Sequence, residues 1–167
     1  AGSPLLICPE LLYEDGLISH NSLTNHPEFS PYTVDFKNVL QFKKRLLKEA
    51  FHNFSSTKFL TYEEFINSNP WLDDYGLFMA LKNVHNNIDW TEWPDKYKNR
   101  DKHELETFKE DKHQTYNYYL FEQFIFFKQW QKLKTAAQKE NILLFGDIPI
   151  YVGFDSADVW ANQNIFT

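Results

Sequence analysis

Apolar residues return at spacings of three and four from Asn38 to Phe54, at Val39, Phe42, Leu46, Leu47, Ala50, Phe51 and Phe54. That spacing predicts an amphipathic helix with Asn38 as its cap. Thr61 followed by Glu64 has the form of a capping box and opens a short helix through Ile66, which Asn69-Pro70 stops. A further helix is expected from Leu72 to about Val84, with Tyr75, Phe78, Leu81 and Trp71 toward one face. Asp101 to Lys112 reads as a charged helix. From His113 to about Gln138 the chain is apolar nearly all round. Tyr116, Tyr119, Leu120, Phe124, Phe127, Trp130 and Leu133 fall on one side, and Phe121, Ile125 and Phe126 on another. Such a helix needs neighbours on several sides. The period then changes. Asn141 to Phe145 is a short apolar run that reads as a buried strand, and the acidic, aromatic stretch from Gly146 to Trp160 follows at once. The first 35 residues read as loop with one or two helical turns, the clearest opening at Cys8-Pro9-Glu10 and closing at Asp15-Gly16. Ile88 to Arg100 reads as turns around Trp90 and Trp93. The pattern is therefore mainly α, with four or five helices and one strong strand.

Length and composition narrow the choices. A chain of 167 residues supports one domain with a real core, since about 68–70% of the unfolded surface is buried near this size. A complete (β/α)₈ barrel takes about 250 residues, so it is excluded. The net charge of −6 argues against nucleic acid, whose phosphates call for a basic patch. Lys43, Lys44, Arg45 and Lys48 cluster on the polar side of the first long helix, where a solvated face explains them. The single Cys8 forbids an intrachain disulfide and fits a reducing cytoplasm. No apolar run approaches the ~18 residues of a membrane span. His103-Glu104 lacks the second histidine of a zinc motif, Asp73-Asp74 suits a helix dipole better than a metal, and no site for a metal or cofactor is expected.

Residues 146–160, Gly-Asp-Ile-Pro-Ile-Tyr-Val-Gly-Phe-Asp-Ser-Ala-Asp-Val-Trp, carry more information than any other stretch. They resemble a strand-end G-D-x-P-I-[FY]-V leading into D-S-A-[DE]-V-W-A. Ala1 to Ile7 resembles A-G-N-P-L-[LF]-I with Ser3 in place of Asn, and Glu14 to Leu17 is E-D-G-L. Trp71 to Lys82 is similar to W-L-x-D-Y-A-L-F-x-A-L-K with Gly76 in place of Ala. Trp90 to Pro94 matches W-x-x-W-P, and Phe124 to Trp130 matches F-x-F-F-x-Q-W. By these motifs the chain is identified as a member of the amylomaltases, the disproportionating 4-alpha-glucanotransferases of glycoside hydrolase family seventy-seven.

The resemblance implies a fold in which residues 1–167 are a single partial domain. Residues 1–138 would form a mostly helical insertion subdomain. Residues 139–167 would supply one or two strands of an incomplete TIM barrel and its strand-end loop, α/β in the full enzyme. It implies a cytoplasmic enzyme that moves α-1,4-glucan segments between maltodextrins by retaining double displacement, without a cofactor and without nucleic-acid or membrane partners. The nucleophile of that family lies in an R-x-D-H-F segment, which this sequence lacks. The chain is therefore expected to be a piece of a longer enzyme, inactive until joined by the remainder of the barrel. Asp147 matches the aspartate that supports the catalytic groups without being the nucleophile, and a helix- or turn-capping aspartate is its other reading. Tyr151, Asp155, Ser156, Asp158 and Trp160 are the other candidates for substrate contact. Two roles stay open for several of them: Asp155, Ser156 and Asp158 can cap a turn or bind sugar hydroxyls, and Trp160 can line the cleft or anchor the loop. Pro149 and Tyr151 are expected to set the loop's path. Trp71, Trp90 and Trp93 suit aromatic packing better than a sugar platform. A hydrolase of the same barrel class, and a non-catalytic helical module that binds carbohydrate or a partner, are the rival readings.

Overall fold

A computed structural model of the chain describes residues 1–55, 59–148 and 150–166. Among them run nine α-helices: α1 (Pro9–Glu14), α2 (His20–Thr24), α3 (Phe36–Asn53), α4 (Thr61–Ser68), α5 (Trp71–Val84), α6 (Asp95–Lys98), α7 (Lys102–Asp111), α8 (His113–Lys139) and α9 (Ala157–Ala161). Single 3₁₀ turns lie at Pro4–Leu6 and Trp90–Glu92. The mainly α expectation holds. The chain forms two compact units, Ala1–Glu64 with Phe121–Leu144, and Phe65–Leu120 with Phe145–Thr167.

The expected strand does not form: among the described residues there is no β-strand, and 142–148 is irregular. Leu143 and Phe145 stand 94% and 101% exposed. A strand makes its ladder hydrogen bonds to neighbouring strands, and no described segment offers it a ladder. Two helix starts also differ from expectation. Asp35, rather than Asn38, caps α3. Its carboxylate accepts from the Asn38 amide at 3.1 Å and from the Asn38 side chain at 2.8 Å, and its charge suits the positive helix end. Thr61 is the first residue of α4, which runs two residues past Ile66.

In the first unit, Ile7, Leu12, Leu17, Leu46, Leu47, Ala50, Phe121, Phe124 and Ile125 make the core. The Phe54 ring lies 5.2 Å from Phe59, 5.0 Å from Tyr62 and 5.0 Å from Phe121, which closes an aromatic cluster. Burial, with Glu63 nearby, pushes the Tyr62 hydroxyl up to about 12. Along α8 the side chains from Phe121 to Ile125 are all buried, Glu122 and Gln123 included, as an all-round apolar helix requires. Farther on, Trp130 and Leu133 are open.

Two glutamines on α8 hold the N-terminal segment by its backbone. Gln123 is fully buried. Its carbonyl accepts from the Gly2 amide at 2.7 Å, and its NH₂ donates to the Gly2 carbonyl at 3.0 Å. Gln129 repeats the pattern on Cys8, at 2.7 and 3.2 Å. A glycine is required at the first clasp, because a Cβ on Gly2 would meet the Phe126 ring at 2.0 Å. The basic cluster of α3 is only partly a solvated face. Lys43 donates to the Ile7 carbonyl and Arg45 to the Asn25 carbonyl, while Lys44 and Lys48 are exposed. Burial pulls the Lys43 ammonium below its ordinary range, with Cys8 and Glu10 opposing.

In the second unit α5 packs against α9 around Leu72, Leu77, Phe78, Leu81, Trp90, Trp93 and Trp160. Trp90 and Trp93 are core side chains, 6% and 3% exposed. Asp73 and Asp74 open α5 and each meets a cation. Asp73 pairs with Lys109 and accepts from the Tyr116 hydroxyl at 2.6 Å, and Asp74 pairs with Arg100 at 2.5 Å. Partial burial pushes the Asp73 carboxyl upward, but Lys109, Tyr116 and Arg100 outweigh it, and the group ends below the ordinary carboxylate range.

Candidate functional site

The fifteen residues from Gly146 to Trp160 divide sharply into an open half and an anchored half. In the open half Asp147 is exposed, its Oδ1 accepting the amide of its own neighbour Ile148 at 2.8 Å. Tyr151 is 91% exposed and Ile150 86%. Pro149 lies outside the described residues. Neither Gly146 nor Gly153 has an atom within 4 Å of where a Cβ would sit, so nothing crowds the backbone at these two residues.

From Phe154 onward the chain is tied down. The Trp90 indole N–H donates to the Phe154 carbonyl at 2.9 Å, and the two rings stand 5.5 Å apart. Asp155 accepts from the Lys82 ammonium at 2.5 Å and from the Trp90 amide at 3.4 Å. The Ser156 hydroxyl accepts from the Val159 amide at 3.3 Å and so caps α9. Asp158 lies exposed in the first turn of that helix, where its charge complements the helix dipole. Trp160 has no exposed surface. Its indole N–H donates to the Tyr97 carbonyl at 3.0 Å, its ring meets Trp93 edge-on at 5.7 Å, and the Arg100 guanidinium sits 4.2 Å over it.

Ser156 caps α9, Trp160 is packed and hydrogen-bonded, and Asp155 pairs with Lys82, so all three make direct contacts within the second unit. Asp147, Tyr151 and Asp158 keep side chains turned to solvent, the condition for meeting a ligand. The six candidates thus occupy one continuous stretch of the second unit, as a fixed base and a free tip. Among the described residues, no group of three or more His, Cys, Asp or Glu has the arrangement of a metal site. No helix there is long and apolar enough to cross a membrane.

Sequence reasoning gave Lys82 no role, yet this buried lysine holds the base. It donates to the Asn87 and Ile88 carbonyls at 2.9 and 2.7 Å as well as to Asp155. The signal was present. Lys82 follows Phe78 by four residues, so it falls on the apolar stripe of α5, where a charge needs partners.

The family model described as 4-alpha-glucanotransferase, of glycoside hydrolase family seventy-seven, matches residues 1–167. A 4-alpha-glucanotransferase from Clostridium butyricum is 38% identical over 172 residues, covering 99% of this chain and 34% of its own length. One from Aquifex aeolicus is 37% identical over 99% of this chain and 33% of its own. Among solved structures, the amylomaltase from Streptococcus agalactiae in complex with acarbose superimposes with a TM-score of 0.93 at 29% identity, over 99% of this chain and 34% of that one. The chain spans about a third of the length of the curated relatives it matches. With its motifs in family order and the family model matching from the first residue to the last, the chain belongs to the 4-alpha-glucanotransferases of glycoside hydrolase family seventy-seven.

Proposed function

We propose that this chain is part of a 4-alpha-glucanotransferase that moves α-1,4-glucan segments between maltodextrins by retaining double displacement. The observation that carries the reading is the family match over all 167 residues, which includes the loop from Gly146 to Trp160. In a retaining enzyme a nucleophilic carboxylate and an acid/base carboxyl stand about 5–5.5 Å apart. This sequence holds no R-x-D-H-F segment, so the nucleophile comes from the remainder of the barrel.

The part played by this chain is orientation. Residues 141–145, open here, pair as a barrel strand once flanking strands are present, and residues 1–138 form the helical subdomain beside that barrel. Asp147 then stands at the strand end, where its carboxylate accepts hydrogen bonds from the groups that align the nucleophile. Tyr151 and Asp158 meet sugar hydroxyls from the exposed side of the loop. Asp155, Ser156 and Trp160 keep that loop at a constant height above the barrel. Holding the acceptor sugar and shedding water favours transfer over hydrolysis. The enzyme works in the cytoplasm, needs no cofactor, and has maltodextrins as its partners.

The test is chromatography of maltotriose incubated with the full-length protein. Glucose together with maltodextrins longer than maltotriose is the expected product set. Glucose and maltose alone would establish a hydrolase. Binding without turnover would leave a carbohydrate-binding module.

A further inference from the structure

The base of the strand-end loop is held by one buried cation. The side chain of Lys82 is 11% exposed, and its ammonium has three proton donors. Each finds an oxygen: Asn87 carbonyl at 2.9 Å, Ile88 carbonyl at 2.7 Å, Asp155 Oδ2 at 2.5 Å. The backbone is bent to make this possible. Asn86 and Asn87 are consecutive left-handed residues, φ 54° and 61°, just past the end of α5. Only short polar side chains and glycine tolerate that region readily. The bend is closed by the Asn87 amide, which donates back to the Lys82 carbonyl at 2.7 Å. The same Asp155 accepts from Trp90, whose indole holds Phe154.

We infer that Lys82 is a positioning residue: it fixes the far end of the loop that carries Asp147 and Tyr151, and so sets where those side chains stand during turnover. The inference rests on the proposed role of that loop in glucan transfer. No atom lies within 4 Å of a Cβ placed on Gly146 or Gly153, so the contacts that hold this loop are those at its two ends. One end is residues 141–145, proposed to pair as a strand in the full-length enzyme, and the other is the Lys82–Asp155 clamp. Release of the clamp lengthens the free span and widens the range of positions open to Asp147. A displacement near 1 Å at a reacting centre is worth about 10²-fold in rate.

The experiment uses the full-length enzyme with maltotriose, well below its melting temperature. Lys82→Met keeps the aliphatic stem and removes the donors, and Asp147→Asn serves as comparator. Expected for Lys82→Met is a kcat lower by about 10- to 10²-fold with a smaller change in KM, in protein whose far-ultraviolet spectrum is unchanged. Amide hydrogen exchange in peptides covering residues 146–156 should be faster, and exchange in α8 unaltered. Asp155→Asn, which keeps one of the two acceptor oxygens, should keep more activity than Lys82→Met. Normal kcat in Lys82→Met beside a slow Asp147→Asn overturns the clamp and leaves the proposed function standing. Normal kcat in both variants removes the loop from the active site, and the clamp falls together with the proposed role of the loop, while the transfer activity stands. If Lys82→Met does not fold, Asp155→Ala, which removes the acceptor of Lys82 and Trp90, decides. Faster exchange at 146–156 with reduced kcat supports the clamp, and wild-type values of both overturn it.

Discussion

Helix α8 and residues 142–152 are both crowded with large apolar side chains, and they meet opposite fates. From Phe121 to Ile125 the helix is buried on every side, while Leu143, Phe145, Ile148, Ile150 and Tyr151 stand almost wholly in solvent. Apolar content does not separate them. Backbone accounting does. A helix satisfies its own amides and carbonyls and asks its neighbours only for side-chain cover, whereas a strand must borrow hydrogen bonds from adjacent strands. α8 finds its cover in α3 and the aromatic cluster around Phe54. The open segment finds no described backbone to pair with. Among the described residues the helices are complete, and the apolar segment without a partner strand is irregular.

The sharpest way to break that contrast is to attack the finished side. Trp160→Ala removes a fully buried ring and the Arg100 stack together, and should destabilise the chain by about 3–5 kcal/mol in urea titration. A loss under about 1 kcal/mol would mean that the Trp160 site is loosely packed. The unfinished side should respond by context. In the 167-residue chain Phe145→Ser should change stability by less than about 0.5 kcal/mol while reducing hydrophobic-dye binding. In the full-length enzyme the same change should cost about 3 kcal/mol, because there the segment is proposed to be a buried barrel strand. Equal effects in both proteins would remove that proposal.

The smallest effect concerns pH and the start of α5. Asp73 sits below the ordinary carboxylate range in the folded state, so the unfolded chain takes up a proton first as pH falls. Its contribution is complete above about pH 4, the unfolded value, and fades as pH drops through the lower folded value. The side chain is half exposed and screened, which holds the effect under about 1 kcal/mol. Between pH 5 and pH 3, Asp73→Asn should therefore lose slightly less stability than the unaltered chain. An identical loss would show that the Lys109 and Tyr116 contacts carry no net stabilisation.

Sequence periodicity made the long helices legible because it reports what a helix needs, one covered face. α3, α5, α7 and α8 appear within a few residues of where spacing puts them. Spacing puts the cap of α3 at Asn38 and the structure puts it at Asp35, because both are good caps and occupy complementary positions, one accepting from the other. The strand expected at Asn141 to Phe145 is not formed among the described residues, because a short apolar run announces burial without saying who supplies it. At the candidate site, residue order located the loop, yet it could not sort free tip from fixed base. That distinction depends on Lys82 and Trp90, which are 73 and 65 residues away in sequence from Asp155. The two glutamine clasps were invisible for the same reason, each joining residues 121 apart.

Those clasps have a geometric consequence. Gly2 and Cys8 are six residues apart, and so are Gln123 and Gln129. Six residues of α-helix advance about 9 Å, whereas six extended residues would span roughly 20 Å. The N-terminal segment, coiled through its 3₁₀ turn at Pro4–Leu6, thus advances at the pace of the helix that grips it. The pair works as a length gauge. Side chains between the clasps can vary where they face solvent, as Leu6 does at 74% exposure. One residue added or removed there would leave a buried glutamine amide facing the wrong peptide, so this stretch tolerates changes of letter and forbids changes of count.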